Sequence, residues 1–196
     1  LYFKIYDTQQ VEELVQGMHD YNLTAAEGQQ LSFYGFDLQN PKTGIGLLLQ
    51  FCRENQVLPD LDTAPVQQYL DGDYGIAGAQ AQDALGCIYT IEAALEQDKS
   101  EYLQRSDDVL FMLQIVNCVR NFVLCQADGG AENYIAYNNA RDKYMAENVL
   151  WLADYGKNHG GTGLMIAGHN GHVAFAQNFY TPMGSHLRDA LGSGYF

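Results

Sequence analysis

Apolar positions recur along this chain with two periods, one of three to four residues and one too short to repeat, and the elements follow from that contrast. Asp7-Thr8 followed by Val11, Leu14, Val15 and Met18 puts the apolar side chains on one face behind a capping pair, which predicts an amphipathic helix ending near Asn22. Residues from about Ile45 to Asn55, with Leu47, Leu48, Leu49, Phe51 and Cys52, predict a second helix that stops near Pro59. Two longer helices are expected from about Ala79 to Gln97 and from about Ser100 to Gln126, through Leu85, Ile88, Ile91 and Leu95, then Leu103, Leu110, Leu113 and Val116. Another should run from about Asn139 to Lys157, with Met145, Val149 and Leu152 inward and Asn138 or Asn139 as its cap. A short helix over His186 to Leu191, capped by Ser185 and stopped by Gly192, closes the helical set.

Two brief runs break this rhythm. Leu31-Ser-Phe-Tyr-Gly-Phe36 is aromatic and bounded by polar residues, and Leu164-Met-Ile-Ala167 is apolar between glycines; both read as buried strands. Tyr195-Phe196 could open a third. The fold class expected is therefore α/β and helix-rich, with long helices packed on a small parallel or mixed sheet, as one domain over residues 1–196. The glycine- and acid-rich stretch Asp71-Gly-Asp-Tyr-Gly-Ile-Ala-Gly78 reads as a surface loop.

Charge narrows the partners. The formal net charge is −14 with no Lys/Arg cluster to offset it, so neither a phosphate backbone nor an anionic membrane surface is an expected partner. No apolar run is expected to reach the ~20 residues that span a bilayer, and the first residues lack the charged start and long apolar core of a signal peptide. Cys52, Cys87, Cys118 and Cys125 form no CxxC pair and have no His at zinc-finger spacing, so buried thiols in a reducing, cytoplasmic setting are the expectation.

Candidate chemistry concentrates where the short apolar runs end. Gly168-His169-Asn170-Gly171-His172 sets two imidazoles and an amide directly after the second run, and its glycines let the backbone turn so that the rings can face one way. Neutral His169 and His172 could act as general base, hydrogen-bond donor or metal ligand; on spacing alone a loop with structural histidines reads equally well. Asp37, at the end of the first run, could orient one of these rings, although a turn-forming Asp is the simpler reading. Arg141, with Asp142 beside it and Met145 and Asn148 following at helical spacing, places a cation and an amide on an inward face; such an arginine takes a carboxylate partner or an anionic ligand. Glu147 and His186 rank below these. The chain has no G-x-S-x-G elbow, no P-loop, no G-x-G-x-x-G cradle and no HExxH.

Ser32-Phe-Tyr-Gly-Phe-Asp-Leu-Gln39, Ala140-Arg-Asp-Lys-Tyr-Met-Ala-Glu-Asn-Val-Leu-Trp151, Ala167-Gly-His-Asn-Gly-His-Val173 and Met183-Gly-Ser-His-Leu187, in that order, together resemble the erythromycin esterase-like family. The resemblance runs from about Thr8 to the last residue, with residues 64–131 matching only as generic helices. It implies a hydrolytic enzyme of α/β architecture unrelated to the serine hydrolases, in which a histidine activates water against an ester or lactone carbonyl. The family's H-N-x-H pair falls on His169 and His172, its G-F-D on Asp37, and its R-D-x-x-M-x-x-N on Arg141, Asp142, Met145 and Asn148. His169, His172, Asp37 and Arg141 are thus the expected catalytic groups, and Asn170, Asp142, Met145, Asn148 and His186 the expected substrate contacts. The family's upstream G-E-x-x-H-G segment, with its Glu and general-base His, has no counterpart here, so the chain is expected to correspond to a central part of such an enzyme. A small-molecule ester is the expected partner and no cofactor is implied. The rival expectations are a binding module in which His169, His172 and Asp37 hold a divalent ion, and a helical scaffold without chemistry.

Overall fold

The computed structural model describes residues 6–71, 76–97, 107–127, 133–175 and 179–196. The chain divides into two compact units, Leu1–Phe36 with Leu150–Ile166, and Asp37–Val149 with Ala167–Phe196.

In the first unit, α1 (Gln9–Asn22) starts as the sequence predicts, with the Thr8 side chain accepting from the Val11 amide. No residue of α1 is buried, and Leu14 and Val15 stay about half exposed. The Asn22 side chain then takes both backbone groups of Leu31, donating to its carbonyl at 2.8 Å and accepting from its amide at 2.7 Å. The segment expected to be the first strand is thereby anchored by a side chain rather than by a neighbouring strand. Leu31 and Phe33 are exposed, and the Leu164–Ala167 run, with Met165 89% exposed, is irregular as well. Among the described residues there is no strand at all, Tyr195-Phe196 included, so the fold is all-α and the expected sheet is absent. A short apolar run specifies a strand only where a neighbouring strand takes up its amides and carbonyls, and among the described residues no strand stands beside either run.

The second unit holds the hydrophobic core. Helices α2 (Lys42–Glu54), α3 (Ala64–Gln67), α4 (Gly78–Gln97) and α5 (Asp107–Ala127) pack so that Ile45, Leu48, Val66, Leu85, Ile88, Ile91, Val116 and Val123 are almost fully buried. Gly44 lets α2 approach α5, since a Cβ there would sit 3.2 Å from Val119 Cγ2. Tyr69 meets Phe122 edge-on at 5.7 Å between ring centres. An ion pair between Glu92 of α4 and Arg120 of α5, half buried, ties the two longest core helices together. By length and composition Val109–Ala127 is apolar enough to cross a membrane, contrary to the expectation that no run approaches this, but here it is α5, packed against α2 and α4. Residues 98–106, and residues 72–75 of the 71–78 loop, lie outside the described residues.

Helix α6 spans Tyr134–Asn158 and begins earlier than expected. Its first turn is capped by Asn133, whose Oδ1 accepts from the Ala136 amide, while Asn138 and Asn139 lie inside the helix rather than at its cap. Two short helices follow, α7 (Asn170–Val173) and α8 (Met183–Leu191). Pro182, not Ser185, occupies the N-cap of α8; the Ser185 hydroxyl instead donates to the Phe175 carbonyl at 3.1 Å.

Candidate active site

Arg141 and Asp142 are neighbours on α6, about 100° apart around its axis, so each can serve a different partner. Arg141 takes Asp37 in a two-pronged grip, Nε donating to Oδ1 at 2.8 Å and the Nη2 group to Oδ2 at 2.7 Å. Burial alone would lower the guanidinium's pKa, but the hydrogen bonds and charge of Asp37, with Tyr137 and Asp142 adding, outweigh it and hold the pKa above its ordinary value. Arg141 is therefore a fixed, neutralised cation.

Asp142 is completely buried, and a carboxylate in that position needs donors. It finds two. The Met183 amide, in the first turn of α8, donates to Oδ1 at 2.8 Å, so the α8 N-terminus is satisfied by a side chain from α6. His172 Nδ1 lies 2.8 and 3.0 Å from the two carboxylate oxygens. Because an ionised carboxylate only accepts, that contact puts the ring's proton on Nδ1 and leaves Nε2 as an acceptor. The Nη1 group of Arg141 stands 3.4 Å from Nε2, so the ring lies between charges of opposite sign.

The partnership differs from the sequence expectation in one respect. Asp37, expected either to orient an imidazole or to form a turn, neutralises Arg141; Asp142, expected as a substrate contact, is the residue that orients His172.

His169 caps α7 with its own side chain, Nδ1 accepting from the Gly171 amide at 3.0 Å, and its ring centre lies 6.4 Å from that of His172. A cavity of about 490 Å³ opens over both rings and Arg141, with Tyr134, Tyr137 and Tyr180 among its walls. No motif in the sequence marks these three phenols. A signal exists for two of them: Tyr134, Tyr137, Asn138 and Arg141 share one helical stripe, visible once α6 is started at Tyr134 rather than at Asn139.

The segment before α8 is pinned to α6 at two points, by the Met183 amide on Asp142 and by the Thr181 amide on Asn139 Oδ1 at 2.8 Å. Gly184 sits against the end of α7 so closely that a Cβ would collide with the Val173 and Ala174 carbonyls. Tyr195 adds a hydroxyl bond to the Val173 carbonyl.

Of the remaining expected site residues, Asn170 is exposed on α7 and His186 lies on α8, neither lining the cavity. Met145 belongs to the buried interior. Asn148 is also buried, accepting from Gln114 Nε2 at 2.9 Å and from the Cys118 thiol at 3.5 Å, so its amide links α6 to α5. Among the described residues no group of three or more His, Cys, Asp or Glu side chains is arranged to hold a metal ion. The ligand set expected from His169, His172 and Asp37 is broken by the commitment of Asp37 to Arg141.

A family model described as erythromycin esterase matches residues 1–196. A search of curated protein sequences returned no match. A crystal structure of a Bacillus cereus protein resembles this one with a TM-score of 0.80 at 19% identity, over 98% of this chain and 49% of that one. That likeness is one of fold, and the chain spans about half the length of the protein it matches.

Proposed function

This chain belongs to the erythromycin esterase family, and from that premise we propose that it serves the hydrolysis of a carboxylic ester or macrolactone by water. The observation that carries the reading is the His172–Asp142 pair, an imidazole fixed through Nδ1 by a buried carboxylate while Nε2 stays an acceptor at a cavity wall. A base of this kind needs the right tautomer and a fixed ring, and Asp142 supplies both.

In the reaction, His172 Nε2, in place of the upstream histidine to which the resemblance gives the base role, takes a proton from water as the water oxygen bonds to the ester carbonyl carbon. The carbonyl electron pair moves onto its oxygen, and collapse of the adduct expels the alcohol oxygen, which takes the proton back from the imidazolium. The products are a carboxylic acid and an alcohol. Arg141 keeps its third nitrogen near this centre, while Asp37 neutralises the rest of the guanidinium, so the cation attracts a developing negative charge without binding every passing anion. His169, on the same turn, lines the volume where the acyl group would sit.

The test is turnover of activated and alkyl carboxylic esters by the full-length protein and by His172→Ala and His169→Ala, with circular dichroism confirming folded variants. The His172 variant should lose at least ~100-fold. Near-normal rates in both variants would end the hydrolase reading.

A further inference from the structure

Water attack on an ester builds negative charge on the former carbonyl oxygen, and a site that stabilises it needs a donor whose bonding capacity is not already spent. Arg141 gives Nε and Nη2 to Asp37 and turns Nη1 toward His172 Nε2 at 3.4 Å, so it acts on that charge mainly as a nearby cation, and His172 gives Nδ1–H to Asp142. Tyr180 is placed differently. Its ring centre is 6.2 Å from that of His172 and it meets Tyr134 edge-on at 6.4 Å, so its position in the cavity wall is fixed from two sides. Its hydroxyl reaches the Gly171 carbonyl at 3.3 Å, beyond the usual range for an O–H···O bond, so little is lost when that proton turns to a stronger acceptor. A Cβ on Gly171 would stand 3.4 Å from this hydroxyl and 3.1 Å from His169 Nδ1, which places the phenol at the turn that carries both histidines. The backbone beyond Tyr180 is also held, by Thr181 on Asn139 and by Met183 on Asp142, the carboxylate that holds His172.

Resting on the ester-hydrolase reading, we propose that the Tyr180 hydroxyl is the hydrogen-bond donor that receives the oxyanion of the tetrahedral adduct. When water adds and the carbonyl pair moves onto oxygen, the phenol O–H leaves the Gly171 carbonyl and donates to that oxygen without transferring its proton. When the adduct collapses and the carbonyl re-forms, the O–H returns to Gly171. The role requires a protonated phenol, and burial, followed by the charge of Asp142 and the presence of Tyr134, pushes the Tyr180 pKa above its ordinary value, against a smaller pull from Arg141.

The experiment compares kcat, KM and the pH–rate profile of the full-length protein with those of Tyr180→Phe, His172→Ala and a version carrying 3-fluorotyrosine at position 180, on one activated carboxylic ester. Tyr180→Phe should lose about 100-fold in kcat with little change in KM, the size seen for removal of a single oxyanion donor. Fluorination acidifies the phenol, so the alkaline limb of kcat should move to lower pH in that version and vanish in Tyr180→Phe. A Tyr180→Phe variant within about threefold of wild-type kcat beside an inactive His172→Ala would overturn the Tyr180 assignment and leave the hydrolase reading standing. An alkaline limb that ignores fluorination would overturn the donor role even if Tyr180→Phe is slow. Wild-type protein without ester turnover would overturn the hydrolase reading and the Tyr180 role together.

Discussion

Adding one methyl group at Gly184 should disable the site from a distance. An ideal Cβ there would come within 2.5 Å of the Ala174 carbonyl oxygen and closer still to that of Val173, whereas side-chain carbons in folded proteins essentially never approach other atoms within 3.0 Å. These neighbours are backbone atoms, so no side chain can swing aside. The α7 end and the start of α8 must separate by about 1 Å in a closely packed interior. Two things move with them. His172 is the penultimate residue of α7, and Met183, next to Gly184, carries the amide that holds Asp142. Overpacking of this kind destabilises by about 1–3 kcal/mol, and a misplacement near 1 Å of a catalytic group can reduce rate about 100-fold. Gly86 is the matched control. It lies inside α4, and a methyl group added there would meet nothing within 4 Å, so Gly86→Ala should stabilise by roughly 0.5–1 kcal/mol through helix propensity alone and leave turnover untouched. Urea unfolding and ester turnover of the two variants side by side give the answer. A Gly184→Ala protein as stable and as active as wild type would refute the tight coupling of α8 to the His172 turn.

Two further outcomes follow from the same geometry. Asp142→Ala strands the Met183 amide and the His172 Nδ1–H without an acceptor, at about 1–3 kcal/mol each; Asp142→Asn keeps one oxygen and should unfold at higher urea than Asp142→Ala, yet both should slow turnover at least ~10-fold. Greater urea resistance of the alanine variant would contradict the satisfied-carboxylate account. The second outcome concerns alkali. Burial pushes Cys52 and Cys118 up to about 11 from an ordinary 9.0, for Cys52 with Cys87 adding and for Cys118 against the bonds to Asn148 and Gln114. A raised thiol pKa means that the folded state holds the proton more tightly, so this stability is complete below pH 9 and is lost as pH climbs through 11. Thermal melts of wild type should fall across that window and those of Cys52→Ala/Cys118→Ala should fall less; parallel curves would contradict it.

The helices are legible because amphipathic spacing is a local property. Thr8 announces α1, and the Leu85, Ile88, Ile91, Leu95 series announces α4, without reference to any distant residue. Strands are not, because pairing is not local: Leu31–Phe36 has the composition of a strand, but its Leu31 amide and carbonyl go to Asn22 and its large side chains Leu31 and Phe33 remain exposed. The histidine turn and Arg141 are legible as chemistry, since imidazoles between glycines and an arginine on an inward face are unusual wherever they occur. Which carboxylate serves which base is not. Asp37 and Arg141 lie 104 residues apart in sequence, His172 and Asp142 30, and only the fold decides between those pairings. Tyr180 carries no pattern of its own; it matters because Asn139 and Asp142 fix the backbone beyond it.

Isotope tracing reads the proposed chemistry most directly. Ester turnover by the full-length protein in ¹⁸O-labelled water should place the label in the carboxylic acid and leave the alcohol unlabelled, and His172→Ala should suppress that labelled acid to near background. Label in the alcohol, or labelled acid forming as fast without the His172 imidazole, would contradict a water molecule activated at Nε2.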